Sequence, residues 1–160
     1  MSFRRDGITV FHPATILSTW FGVGLLPKAP GTWGSVAALP FAWFLADFGG
    51  WPVLAAASLV CFFVGWWSSA VYVARTNAAD PSEVVIDEVA GQWLVLCAAP
   101  LDPAAYLVGL ALFRLFDVWK PWPVSWADTS VGGGLGVMLD DVIAALYGLV
   151  GMAIFIRVWS

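Results

Sequence analysis

The chain of 160 residues is long enough for one domain and short for two. Apolar residues make up 61% of it and charged residues only 11%, against roughly 45–50% and about 25% in ordinary soluble chains, and eleven residues are Trp. A formal net charge of −4 argues against nucleic acid as a partner, and it means that an anionic substrate needs a bridging cation.

Uncharged stretches cover residues 29–46, 48–74 and 142–156. About 20 mostly apolar residues cross a bilayer core as a helix. The middle stretch is therefore a strong candidate span, and the other two are candidates for short or tilted ones. These features predict an all-α, integral membrane helical bundle with about five short spans, plus an N-terminal helix that lies on the interface or re-enters. A single domain is expected over residues 1–160.

From the N-terminus, MSFRRDGITVFHPATIL lacks the ordered charged start, apolar core and small-residue cleavage site of a removable signal peptide. Residues 12–26 predict one short helix with Pro13 in its first turn, too short to span readily. PKAPGTWGS, residues 27–35, reads as a loop because it holds two prolines and two glycines. A helix over about 35–46 follows, DFGGWP is a turn, and 53–74 is the clearest span. In RTNAADPSE, Asp80 suits a helix cap, Pro81 the first helical position and Glu83 the third. That helix is expected to reach about Ala99 and to carry Asp87 and Glu88 about two turns from its start. Asp102 and Pro103 repeat the device for a helix that ends at Lys120, where Pro121 and Pro123 stop it. Residues 121–134 read as irregular. The last helix is expected to begin near Leu135 or Asp140 and to reach about Trp159.

Threaded through a bilayer, the polar segments alternate between sides. Lys28, Arg75 and Lys120, with Arg4 and Arg5 if the first helix does not cross, gather on one side, and Arg157 stands on the other. The positive-inside rule makes the first side the cytoplasm. The acidic pairs Asp87–Glu88 and Asp140–Asp141 fall on the same side.

FRLFDVWKPWP places Arg114, Asp117 and Lys120 at three-residue steps at the end of an apolar helix, on roughly one face. Each charged group has an ordinary reading: an i,i+3 ion pair, a snorkelling lysine, a solvated pair, or acids at a helix N-terminus. Together they bring five carboxylates and two cations to one membrane face of a chain that otherwise avoids charge. Carboxylates within apolar helices pair or hold a cation. Oxygen-only ligand sets suit hard cations such as Mg²⁺, with Lys and Arg taking the remaining oxygens of a phosphate. PKAPGTWGS adds Lys28, Thr32, Ser35 and backbone N–H groups, without the residue order of a nucleotide P-loop. The chemistry expected is metal-assisted phosphoryl transfer or hydrolysis at the membrane surface.

Elimination narrows this. His12, the only histidine, lies outside the clusters, which excludes a phosphatase with both a His nucleophile and a His acid. Cys61 and Cys97 lie in apolar runs, and neither precedes a phosphate loop ending in Arg. The aspartyl-nucleophile and CDP-alcohol phosphotransferase patterns are absent. A carboxylate-held metal that activates water, or a carboxylate nucleophile, remains. The rival from another class is a non-enzymatic membrane protein, an ion or metabolite transporter using the same carboxylates. It needs a polar path to the opposite side, where only Asp47, Asp102 and Arg157 stand, too few to line a through-path.

GVGLLPKAPGTWGS, IDEVAGQW, FRLFDVWKPWP and GGLGVMLDD, in this order and spacing, resemble the phosphatidylglycerophosphatase A family over about residues 15–150. The resemblance implies an all-helical, Mg²⁺-dependent membrane phosphatase that converts phosphatidylglycerophosphate to phosphatidylglycerol in bacterial phospholipid synthesis. Its place would be the bacterial cytoplasmic membrane, multi-pass, with the active site facing the cytoplasm and with membrane lipids and the lipid substrate as partners. Matching positions are Lys28, Pro30, Gly31, Thr32, Gly34 and Ser35; Asp87, Glu88 and Gly91; Arg114, Asp117, Lys120 and Pro121; and Gly133, Gly134, Asp140 and Asp141. Taken with the charge pattern, the resemblance implies Asp87, Glu88, Asp117, Lys120 and Asp141 as catalytic residues. Lys28, Thr32, Ser35, Arg114 and Lys120 would bind phosphate, and Asp87, Glu88, Asp117, Asp140 and Asp141 would hold Mg²⁺.

Overall fold

A computed structural model describes residues 4–5, 7–78 and 81–159. Arg4–Arg5 (β1) pairs antiparallel with Ile8–Thr9 (β2). The remaining described elements are helical: α1 (Pro13–Ser18), a short 3-10 turn (Val23–Leu25), α2 (Pro30–Thr76), α3 (Ile86–Leu96), α4 (Pro103–Trp119), α5 (Val124–Ser130) and α6 (Gly133–Trp159).

Helix α2 is two arms. Gly49 and Gly50 leave helical geometry, and Gly50 sits at φ 70°, ψ −168°, a region open to glycine and strained for other residues. The chain doubles back there. Gly34 of the first arm packs on Val85 and Gly65 of the second on Ile86, so both arms meet the start of α3. Trp93 Nε1 donates to the Ala38 carbonyl at 2.9 Å, and Ser58 Oγ to that of Ala90 at 2.8 Å. Helix α4 returns antiparallel to α3, with Gly109 against Leu96 and Phe113 against Gly91. Helix α6 runs alongside α3, since Gly91 meets the Asp141 carbonyl and Gly148 meets Val95.

Five helical segments thus alternate between two ends of one bundle. The near end gathers the starts of α2, α3 and α6 and the ends of α2 and α4. The far end holds the Gly49–Gly50 break, the α3–α4 connection and the C-terminus. One core cluster joins α2, α3 and α6 through Leu54, Tyr72, Ile86 and Met138, and a second joins α3, α4, α5 and α6 through Val95, Phe113, Val124 and Ala144. The outer surface is apolar: Phe44 is 70% exposed, Val60 62%, Leu107 62% and Ile154 60%. An exposed apolar surface this extensive fits lipid rather than water. Pro30–Thr76 and Gly133–Trp159 are, among the described residues, the two helices long and apolar enough to cross a membrane.

The local expectations need several corrections. Residues 30–35 are the first turns of α2, not loop. Pro30 occupies the first helical position, where its missing N–H costs nothing, and Ala29 at φ 47° turns the chain into the helix. Helix α3 starts at Ile86 rather than at Pro81, so Asp87 and Glu88 lie in its first turn, and it stops at Leu96, short of Ala99. Residues 81–85 are held outside helix by packing: Val84 and Val85 are buried, and the Val85 N–H donates to the Ser18 carbonyl at 2.8 Å. Asp80, the expected cap, lies outside the described residues.

Residues 121–134 include α5, and α6 begins at Gly133. Residues 12–26 are not one helix either. His12 Nδ1 accepts from the Ala14 N–H to cap α1, and Trp20, Phe21 and Gly22 at positive φ separate it from the 3-10 turn. This segment begins and ends near the same end, with Gly7 against the Arg75 carbonyl and Gly24 against that of Glu83.

Candidate active site

A cavity of about 640 Å³ opens at the near end. Pro30–Thr32 of α2, Asp87 and Glu88 of α3, and Gly133 and Gly136 of α6 all line it, so three helix N-termini point their partial positive charge at one space. No side chain caps α2 or α3. The arrangement favours anions and offsets part of the charge of the acids beside it.

Asp87, Glu88 and Asp141 each offer an oxygen within 4.8 Å of the others. Burial of Val84, Val85 and Ile86 fixes the first turn of α3, and the close approach of α6 at Gly91 brings Asp141 alongside. Asp87 Oδ1, Glu88 Oε2 and Asp141 Oδ2 are buried without hydrogen-bond partners. Like charges this close, in a poorly solvated place, disfavour joint ionisation unless a cation sits between them. Oxygen-only donors with unused lone pairs fit a hard divalent cation, the class to which Mg²⁺ belongs.

The remaining expected acids are paired with the two cations. Arg114 ion-pairs closely with Asp117 one turn on, and lies 3.7 Å from Glu88 Oε1. Gly31 makes this possible: a Cβ there would stand 2.1 Å from Glu88 Oε1 and 3.3 Å from Arg114 Nη1. Lys120 does not continue the face of Arg114 and Asp117. It is the C-cap of α4 in the left-handed region (φ 48°), and its ammonium reaches across to Asp128 Oδ1 (2.5 Å) and Asp140 Oδ2 (2.9 Å). Burial pulls Lys120 toward its neutral form, but the hydrogen bonds to Asp128 and Asp140 outweigh this and hold its pKa above the usual lysine range. Asp140 keeps its second oxygen, Oδ1, buried and unpartnered.

Thr32 also lines the cavity, whereas Lys28 and Ser35 do not. Lys28 is exposed, and Ser35 is buried with its hydroxyl donating to the Gly31 carbonyl at 3.1 Å. Asp128 is a cavity residue that the sequence pattern did not single out. It sits on a seven-residue helix inside a stretch rich in Pro and Gly, where no hydrophobic period marks a face. Cys61 Sγ lies 3.8 Å from the Ile86 carbonyl and Cys97 Sγ 3.3 Å from that of Trp93, and neither lines the cavity.

Residues 16–156 match the sequence profile of phosphatidylglycerophosphatase A. The chain is 36% identical over 143 residues to the protein of that name from Escherichia coli, covering 89% of this chain and 83% of that protein. It is 35% identical over 144 residues to the Haemophilus influenzae protein of the same name, covering 89% and 88%. A Bacteroides thetaiotaomicron protein, named as a candidate phosphatidylinositol-3-phosphatase, is 38% identical over 147 residues, covering 87% and 91%. No solved structure matches the chain.

Proposed function

This chain belongs to the phosphatidylglycerophosphatase A family, and from that premise we propose that it hydrolyses the terminal phosphate monoester of phosphatidylglycerophosphate to give phosphatidylglycerol. The observation that carries the reading is the set of three carboxylates, Asp87, Glu88 and Asp141, each with a buried unpartnered oxygen, beside Arg114 and Lys120 in one cavity.

Asp87, Glu88 and Asp141 would hold Mg²⁺, with Asp117 and Asp140 flanking it. The cation would neutralise charge that the acids and the phosphate otherwise share, and would polarise the phosphoryl oxygens. Lys120 and Arg114 take the remaining phosphate oxygens, helped by the N-terminus of α2 at Gly31 and Thr32. Hydrolysis consumes one water, breaks the bond from phosphorus to the glycerol oxygen and releases inorganic phosphate. A carboxylate of the cluster would accept the proton of the attacking water and pass it to the departing glycerol oxygen, which leaves as the alcohol.

The near end also collects Lys28 and Arg75 and, on the adjoining β1, Arg4 and Arg5, whereas Arg157 is the far end's basic residue among those described. By the positive-inside rule the cavity faces the cytoplasm, in a multi-pass bacterial membrane protein whose five helical segments traverse the bilayer. Helix α3, at about 16 Å, is shorter than the hydrocarbon core, and its neighbours rather than lipid complete its surroundings. A transporter would need polar groups through the bundle. Of the far-end charges, Asp102 is committed to capping α4, accepting from the Ala105 N–H at 2.9 Å.

The family profile and two of the three relatives favour a glycerophosphate headgroup over a phosphoinositide, although both present a phosphate monoester on a phospholipid. Phosphate release from phosphatidylglycerophosphate and from phosphatidylinositol 3-phosphate, each in mixed micelles with purified protein, tests this. Preference for the first is expected, and release from the second alone would move the substrate assignment.

A further inference from the structure

We propose that Asp128 is a positioning residue for Lys120, holding the ammonium together with Asp140 so that its third N–H faces the substrate phosphate. The inference rests on the phosphate-binding role given to Lys120 above.

A lysine ammonium carries three donors on a flexible four-carbon stem. Here two donors are engaged, by Asp128 Oδ1 at 2.5 Å from α5 and by Asp140 Oδ2 at 2.9 Å from α6. Lys120, Asp128 and Asp140 all line the cavity, so the remaining donor has that space to point into. Lys120 has already left α4, and its side-chain hydrogen bonds among the described residues go to α5 and α6.

Helix α5 is a firm place for the second anchor. Val124 and Ala127 are fully buried, and Tyr147 OH of α6 donates to the Trp122 carbonyl at 2.8 Å, tying the preceding turn to α6. Asp128 itself is about a third exposed at its side chain, so a substitution there leaves no buried gap. It accepts no other hydrogen bond among the described residues, which is what a residue acting through Lys120 should look like.

The test is a double-mutant cycle on phosphate release from phosphatidylglycerophosphate, with thermal unfolding in detergent as the fold control. Asp128→Ala should lower kcat/KM at least tenfold with an unchanged Tm. Asp128→Asn, which keeps the oxygen that accepts from Lys120, should stay within about threefold of the native protein. In a Lys120→Ala background, Asp128→Ala should cost less than twofold more. Additive losses would overturn the proposal, as would full turnover of Asp128→Ala when Lys120→Ala alone is impaired. Full turnover of Lys120→Ala would instead remove Lys120 from the phosphate site, and this inference with it.

Discussion

At Gly31 a single hydrogen stands where any other residue would put carbon 2.1 Å from Glu88 Oε1. Gly31→Ala must therefore push Glu88 off the carboxylate cluster or away from Arg114. It should lower turnover at least tenfold while the helix, for which Ala is the better former, stays folded; an assay paired with circular dichroism checks both halves. The cluster itself makes a sharper prediction. Asp141→Asn relieves repulsion among Asp87, Glu88 and Asp141, so without divalent cation the variant should melt higher than the native protein. The same change should abolish the rise in Tm that Mg²⁺ produces in the native protein, and should remove most turnover. A thermal melt in EDTA and in Mg²⁺ reads the first two outcomes. At Lys120 the compact ammonium sits between two carboxylates at 2.5 and 2.9 Å, a fit that a planar guanidinium does not reproduce. Lys120→Arg should lose at least tenfold in kcat/KM, about 1.4 kcal/mol of transition-state stabilisation. Arg157→Lys, at the far end, should be silent in the same assay.

Among the elements, α2 shows most clearly what local signals carry. DFGGWP was legible as a turn because two adjacent glycines followed closely by a proline interrupt a helix in mid-run, and Gly50 uses a conformation open to glycine alone. Gly50→Ala should cost roughly 1–3 kcal/mol, visible as a lower Tm in detergent. The same local rule misjudged residues 30–35. Pro30 is harmless at a first helical position, and Gly31 and Gly34 are there because Glu88 and Val85 press against them, a tertiary fact with no local trace. The start of α3 was misplaced for the complementary reason. Asp80 and Pro81 form a credible helix opening, but burial of Val84 and Val85 and the Val85–Ser18 hydrogen bond hold residues 81–85 outside the helix. Helix α5, and Asp128 with it, had no periodic signal to find.

Across the whole molecule, scarcity of charge is what made the site readable. In a chain with 11% charged residues, groups that recur at one end of the helices stand out, and five of the expected acids do line one cavity with Arg114 and Lys120. How those groups pair was not legible, because the pairing depends on Lys120 leaving its helix and on α5 facing α6. The proposed membrane orientation rests on the same asymmetry and is open to test. In a cysteine-free background, Ser130→Cys at the cavity mouth should react with an impermeant maleimide only in inverted vesicles, and Trp51→Cys beside the far-end break only in right-side-out ones. The reverse pattern would turn the cavity outward. The central claim is that buried carboxylates work through a divalent cation to release phosphate from a lipid. It is tested most directly by inorganic phosphate release from phosphatidylglycerophosphate by purified protein in Mg²⁺, after EDTA, and after Mg²⁺ is restored. Release that stops in EDTA and returns with Mg²⁺ is the predicted result, and undiminished release in EDTA would contradict it.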